Sequence, residues 1–106
     1  MNSTRIVLLI GMLGLAAPAT AVADELAVAT KAGCMACHAK DKKVVGPAYQ
    51  EVARKYKGQT DAPAKLALKV RKGSSGVYGP VPMPPSDEKK IGDADLKAVI
   101  AWILKL

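Results

Sequence analysis

Phenylalanine is absent from this chain, tryptophan occurs once and tyrosine three times. Large aromatic side chains dominate the filling of small cores, so what remains for an interior here is mostly small or aliphatic. Histidine occurs once and cysteine twice. That shortage excludes a zinc site built from His and Cys alone, because a carboxylate or water would have to complete the four ligands. No stretch reads convincingly as a strand, and the chain has neither an internal repeat nor a low-complexity tract. Domains this small with so thin a core usually need a staple: a disulfide, a metal or a large cofactor.

The N-terminus has the composition of an export signal. Arg5 supplies a short basic region, Ile6 to Leu15 an apolar run interrupted only by glycine, Pro18 a break, and Ala21-Val22-Ala23 small residues suited to cleavage. The apolar run is short for a membrane span, which takes about 20 residues. Residues 1–23 are therefore expected to be a cleaved secretory signal and residues 24–106 a single domain with no membrane span. Export would place both cysteines in an oxidising compartment.

Lysine and arginine number 16 against 9 acidic residues, a net charge of +7. Lys31, Lys40, Lys42, Lys43, Lys55, Lys57, Lys69, Arg71 and Lys72 spread the excess along the chain. Such a surface is either ordinary solvation or a basic face that steers acidic protein partners. Nucleic acid is excluded as a partner, since no binding motif accompanies the charge in an exported chain.

Against these absences stands one dense cluster, Cys34-Met35-Ala36-Cys37-His38. Two thiols two residues apart can each add to one vinyl group of a haem edge, and the following histidine can ligate the iron. Cys-x-x-Cys also serves dithiol redox proteins, which want a strand–helix–strand context. It also serves as part of a zinc site.

Four helices are predicted. A short one carries Leu26 and Ala29 toward Cys34. In the second, Tyr49, Val52, Ala53 and Tyr56 fall at i, i+3, i+4 and i+7, with Gly58 as the stop. The third begins near Thr60-Asp61 with Pro63 in its first turn, shows Leu66 and Val70 on one face, and ends at Gly73. Leu96, Val99, Ile100 and Ile103 mark the fourth, with Asp93 as the expected N-cap. Between the last two, Gly73 to Ser86 holds three glycines and four prolines and is expected to be a shaped, extended loop.

Met83 sits in that loop and is the preferred sixth ligand if a haem is present. His38 is the only histidine, and Met35 is tethered inside the attachment cluster. The alternatives at that iron face are a lysine amine or an open position, and Met83 itself could be a gap-filling core residue.

These stretches, with Val45-Gly46-Pro47-Ala48-Tyr49 and Gly76-Val77-Tyr78-Gly79-Pro80-Val81-Pro82-Met83-Pro84-Pro85, resemble the small class I bacterial cytochromes c of the c-551/c-552 type. The resemblance covers essentially all of residues 24–106. It implies an all-α class I cytochrome c fold of about four helices around one covalently attached haem c. Cys34 and Cys37 would form the thioethers, His38 and Met83 would be the iron ligands, and the Pro47 carbonyl would fix the His38 ring. Tyr78 stands where the family often has Trp, whose ring N–H reaches a haem propionate. Its hydroxyl would make the corresponding bond with different reach and angle. Ser86 stands where many relatives have Asn near the ligating sulfur, and the segment from Ser86 to Asp93 is a little longer than theirs. Trp102 reads as a core residue.

The implied function is that of a periplasmic one-electron carrier, a non-enzyme and a monomer. It would shuttle between a donor such as a quinol-oxidising complex and an acceptor such as a terminal oxidase or nitrite reductase with acidic docking faces. The alternative is a gas-binding or peroxidatic haem protein with a labile methionine, although the chain offers no distal histidine or acid–base pair for peroxide cleavage.

Overall fold

The computed structural model describes residues 24–106 together with Gly11, Gly14 and Leu15; the rest of the expected signal segment lies outside the described residues. Four helices appear in the expected places: α1 Glu25–Lys31, α2 Tyr49–Lys55, α3 Ala62–Lys72 and α4 Asp93–Ile103. Among the described residues there is no strand, only two isolated antiparallel bridges, His38 with Lys43 and Ser74 with Met83.

Each boundary has a local cause. Asp24 caps α1, its carboxylate accepting from the Ala27 N–H at 3.3 Å. Pro63 occupies the first turn of α3, where a missing N–H costs nothing. α2 has no side-chain cap. Its first free N–H groups instead find the carbonyls that follow the cysteine cluster, Tyr49 bonding Ala39 at 2.9 Å and Gln50 bonding Lys40 at 3.0 Å. The cluster and α2 are thereby locked together. Asp93 departs from expectation: Gly92 is the N-cap of α4 and Asp93 is its first residue. The Asp93 carboxylate is engaged by Arg71 at 2.6 Å and so does not fold back onto its own helix.

α4 is the hub, packing against α1, α2 and α3. The apolar stripes meet as predicted: Tyr49, Val52, Ala53 and Tyr56 from α2 and Leu96, Val99, Ile100 and Ile103 from α4 are all buried. Among the described residues no large side chain is completely enclosed and no polar or charged residue is buried. The apolar residues form a shell around a cleft, and Tyr49, Val52, Tyr56, Ile91, Leu96, Val99, Ile100 and Ile103 belong to both.

Candidate cofactor site

The cleft gathers the six residues expected to hold or contact a haem: Cys34, Cys37, His38, Pro47, Tyr78 and Met83 all line it. Gly33 turns the chain at the end of α1 through a φ of +85°, which a side chain would resist. A 3-10 turn, Cys34–Ala36, follows. The N–H groups of Cys37 and His38 both bond the Cys34 carbonyl, at 3.2 and 3.0 Å, so the two thiols and the imidazole leave one tight turn. Met35, in the same turn, packs on the core and is not among the residues lining the cleft.

His38 is held on several sides. Its Nδ1 lies 2.8 Å from the Pro47 carbonyl oxygen. A carbonyl only accepts, so Nδ1 carries the proton and Nε2 keeps a free lone pair. The loop that brings Pro47 is fastened by the Gly46 and Val45 N–H groups, both on the Cys37 carbonyl, at 2.7 and 3.2 Å. Tyr49 stacks on the imidazole with centroids 5.0 Å apart and planes 20° apart, and Trp102 meets the Tyr49 ring edge-on at 5.9 Å. Gly46 leaves no room to spare: a Cβ there would lie 2.6 Å from the His38 Cε1.

Met83 arrives on the proline loop. It pairs with Ser74 through two backbone bonds, Met83 N–H to Ser74 O at 2.7 Å and Ser74 N–H to Met83 O at 3.1 Å. Gly73 makes the close approach possible. It ends α3 at φ +80°, and a Cβ there would lie 2.7 Å from the Met83 oxygen. Tyr78, further round the loop, has a buried hydroxyl with no hydrogen-bond partner. Burial chiefly, then the nearby Tyr56 and Glu51, push its pKa up to about 12. The Lys55 ammonium stands 5.7 Å from its ring centre.

Two residues take places that the sequence left open. Ser86 is not among the cleft-lining residues; its N–H bonds the Val70 carbonyl at 2.8 Å, fastening the loop exit to α3. Lys69, which reads in the sequence as one of many surface lysines, is the lysine that lines the cleft. Nothing in its sequence neighbourhood marks it; the direction α3 presents to the loop does.

The competing chemistries fit less well. Burial raises the Cys34 thiol pKa, with a hydrogen bond from Tyr49 as a smaller opposing effect. A dithiol redox site wants the reverse. Among the described residues no group of three or more His, Cys, Asp or Glu is placed to hold a metal ion by itself. A haem fits: two thiols and a free imidazole nitrogen at one wall, a thioether on a braced loop, apolar walls, and an unpartnered buried hydroxyl for a polar edge.

Comparison with known proteins agrees. The cytochrome c family model matches residues 26–106. The chain is 59% identical over 78 residues to cytochrome c2 of Rubrivivax gelatinosus, covering 74% of this chain and 92% of that protein. It is 48% identical over 99 residues to cytochrome c-552 of Hydrogenobacter thermophilus, covering 93% and 95%. The crystal structure of Nitrosomonas europaea cytochrome c552 superposes with a TM-score of 0.72 at 48% identity, covering 76% of this chain and 98% of that one. The chain therefore belongs to the cytochrome c family, as a small class I member that carries electrons on a covalently attached c-type haem and is not an enzyme.

Proposed function

We propose that this cytochrome is a periplasmic one-electron carrier whose iron is ligated by His38 and Met83, with residues 1–23 removed on export. The observation that carries the ligand assignment is the pairing of two braced donors in one cleft. One is an imidazole whose Nδ1 proton is committed to Pro47, and the other is a thioether whose backbone is pinned to Ser74.

Bound there, a haem supplies one-electron cycling of its iron between Fe(II) and Fe(III). The protein does the rest. Cys34 and Cys37 anchor the group, and the Pro47 carbonyl orients His38 and raises its basicity. The Met83 thioether and the apolar walls favour the less charged ferrous state and so a higher potential. Tyr78 and Lys69 offer donors to the haem carboxylates. Because both iron ligands are held by backbone contacts, little has to rearrange when an electron moves.

Val45, Val77 and Val81 line the cleft and are also exposed, Val81 by 61%. They form an apolar rim where a donor such as a quinol-oxidising complex, or an acceptor such as a terminal oxidase or nitrite reductase, would touch. Exposed Lys40, Lys42, Lys43 and Lys55 supply steering toward acidic partner faces.

The test is Met83→Ala in the ferric holoprotein. It is expected to abolish the thioether-to-iron charge-transfer band, lower the reduction potential, and open the iron to cyanide and carbon monoxide. Met35→Leu, outside the cleft lining, is expected to leave the band intact. Retention of band and potential in Met83→Ala defeats the ligand assignment, and rapid carbon monoxide binding by the unaltered protein favours the gas-binding alternative.

A further inference from the structure

Arg71 is the most connected polar side chain of the described residues. Its Nη1 donates to the Ile91 carbonyl at 2.8 Å and the Ser86 carbonyl at 3.3 Å, and its Nη2 to the Asp93 carboxylate at 2.6 Å. All three acceptors lie on the segment that leads from the methionine loop into α4. Arg71 itself sits in the last turn of α3, one residue after Val70, whose carbonyl takes the Ser86 N–H. Two residues further on, Gly73 leaves no room for a Cβ against the backbone of Met83 and Pro85, and Ser74 pairs with Met83. The end of α3 is thus a template along which the chain from Met83 to Ser86 is laid.

The contacts are unequal. The Asp93 side chain is 80% exposed, so its ion pair with Arg71 adds little. The Arg71 side chain is only 21% exposed, and its bonds to the two carbonyls are charge-assisted and partly shielded from water. The planar guanidinium fork reaches all three acceptors at once, a fixed geometry that a lysine ammonium does not reproduce. Without it, the Ser86 N–H is the one hydrogen bond that still ties the exit of the methionine loop to α3 among the described residues.

We infer that Arg71 is a positioning residue for the sixth iron ligand: by clamping the Ser86 and Ile91 carbonyls to α3, it keeps the loop closed and the Met83 thioether in place. This rests on the assignment of Met83 as ligand. Arg71 does not line the cleft; it acts through the loop, setting how often it opens.

The experiment measures cyanide binding to the ferric holoprotein by stopped flow at constant neutral pH, alongside the charge-transfer band and a far-ultraviolet circular dichroism melt. Arg71→Gln is expected to keep the band but bind cyanide about tenfold to a hundredfold faster, the loss of one or two charge-assisted bonds expressed as loop opening. Arg71→Lys, which can satisfy one carbonyl, is expected to fall between the two. Val28→Ala, on α1 and packed against the core away from the cleft, controls for general destabilisation: it is expected to lower the melting temperature and leave the cyanide rate at the wild-type value. Wild-type cyanide rates in Arg71→Gln, or an equal acceleration by Val28→Ala, overturn the inference while leaving the ligand assignment standing. If Arg71→Gln does not accumulate as holoprotein, the comparison of Arg71→Lys with Val28→Ala decides in the same terms. A wild-type protein without the charge-transfer band overturns the ligand assignment and this inference together.

Discussion

Gly46→Ala adds one methyl group where the structure has no space for it. A Cβ at this position would lie 2.6 Å from Cε1, 3.0 Å from Nδ1 and 3.1 Å from Nε2 of His38. Unstrained carbon contacts need about 3.5 Å, so the ring must recede by about 1 Å or the loop must back away by as much. The imidazole is backed by Tyr49 and tied to Pro47 at 2.8 Å. A shift of that size takes the Nδ1–H bond beyond useful length. Gly46 is not among the positive-φ glycines, so backbone strain is not involved and the effect is one of packing.

Overpacking of this kind costs about 1–3 kcal/mol, and the lost hydrogen bond about 1 kcal/mol more. Together they come to about 2–4 kcal/mol. For a domain of this size that is a fall of about 10–25 °C in melting temperature. The potential should rise as well, because an imidazole without its carbonyl partner is a weaker donor and stabilises Fe(III) less. Thermal melts and voltammetry of the holoprotein read both effects. Gly92→Ala, at the N-cap of α4, is the control for the potential, since nothing lies within 4 Å of a Cβ there; it is expected to leave the potential unchanged and to cost at most about 1 kcal/mol of helix capping. A Gly46→Ala protein that melts with the wild type, at an unchanged potential, would refute the claim that this glycine seats the histidine.

Three further outcomes are expected. Acid–acetone extraction should leave the haem on the chain, and Cys34→Ala with Cys37→Ala should leave a largely unfolded polypeptide without a cooperative melt, because the cleft loses what fills it. Second-order electron-transfer rates to an acidic partner should fall as ionic strength rises, since exposed lysines act on encounter; a flat dependence would remove them from that role. Tyr78→Phe should cost the holoprotein about 1 kcal/mol if the buried hydroxyl donates to the cofactor, whereas a variant as stable as wild type means it has no partner. Because burial raises the Tyr78 pKa to about 12 from an ordinary value near 10, its contribution to stability is complete below pH 10 and lost as pH climbs through 12. An ultraviolet titration of phenolate absorbance checks the value.

Much of this protein can be read from its residues alone, because the signals are local. Cys34, Cys37 and His38 owe their chemistry to spacing within one turn. The stripes of α2 and α4 follow from helical periodicity, and all eight of the predicted stripe residues are buried. The missing phenylalanine and the single histidine restrict both the kind of core and the choice of iron ligands before any fold is considered.

What the sequence could not assign depends on pairings across the chain. Arg71 reads as one more charge on a basic helix, yet it ties three points 15 to 22 residues away. Asp93 has the position and chemistry of a helix cap, but the tertiary structure brings Arg71 within 2.6 Å and claims it. Lys69 enters the cleft and Ser86 leaves it because of the way α3 and the proline loop lie against each other. Gly46 and Gly73 carry no label of their own; their need to be glycine comes from His38 and Met83 pressing against them. Composition and spacing determine which chemistry the chain can hold. Long-range hydrogen bonds and close contacts, which no local pattern encodes, decide how firmly each ligand is held.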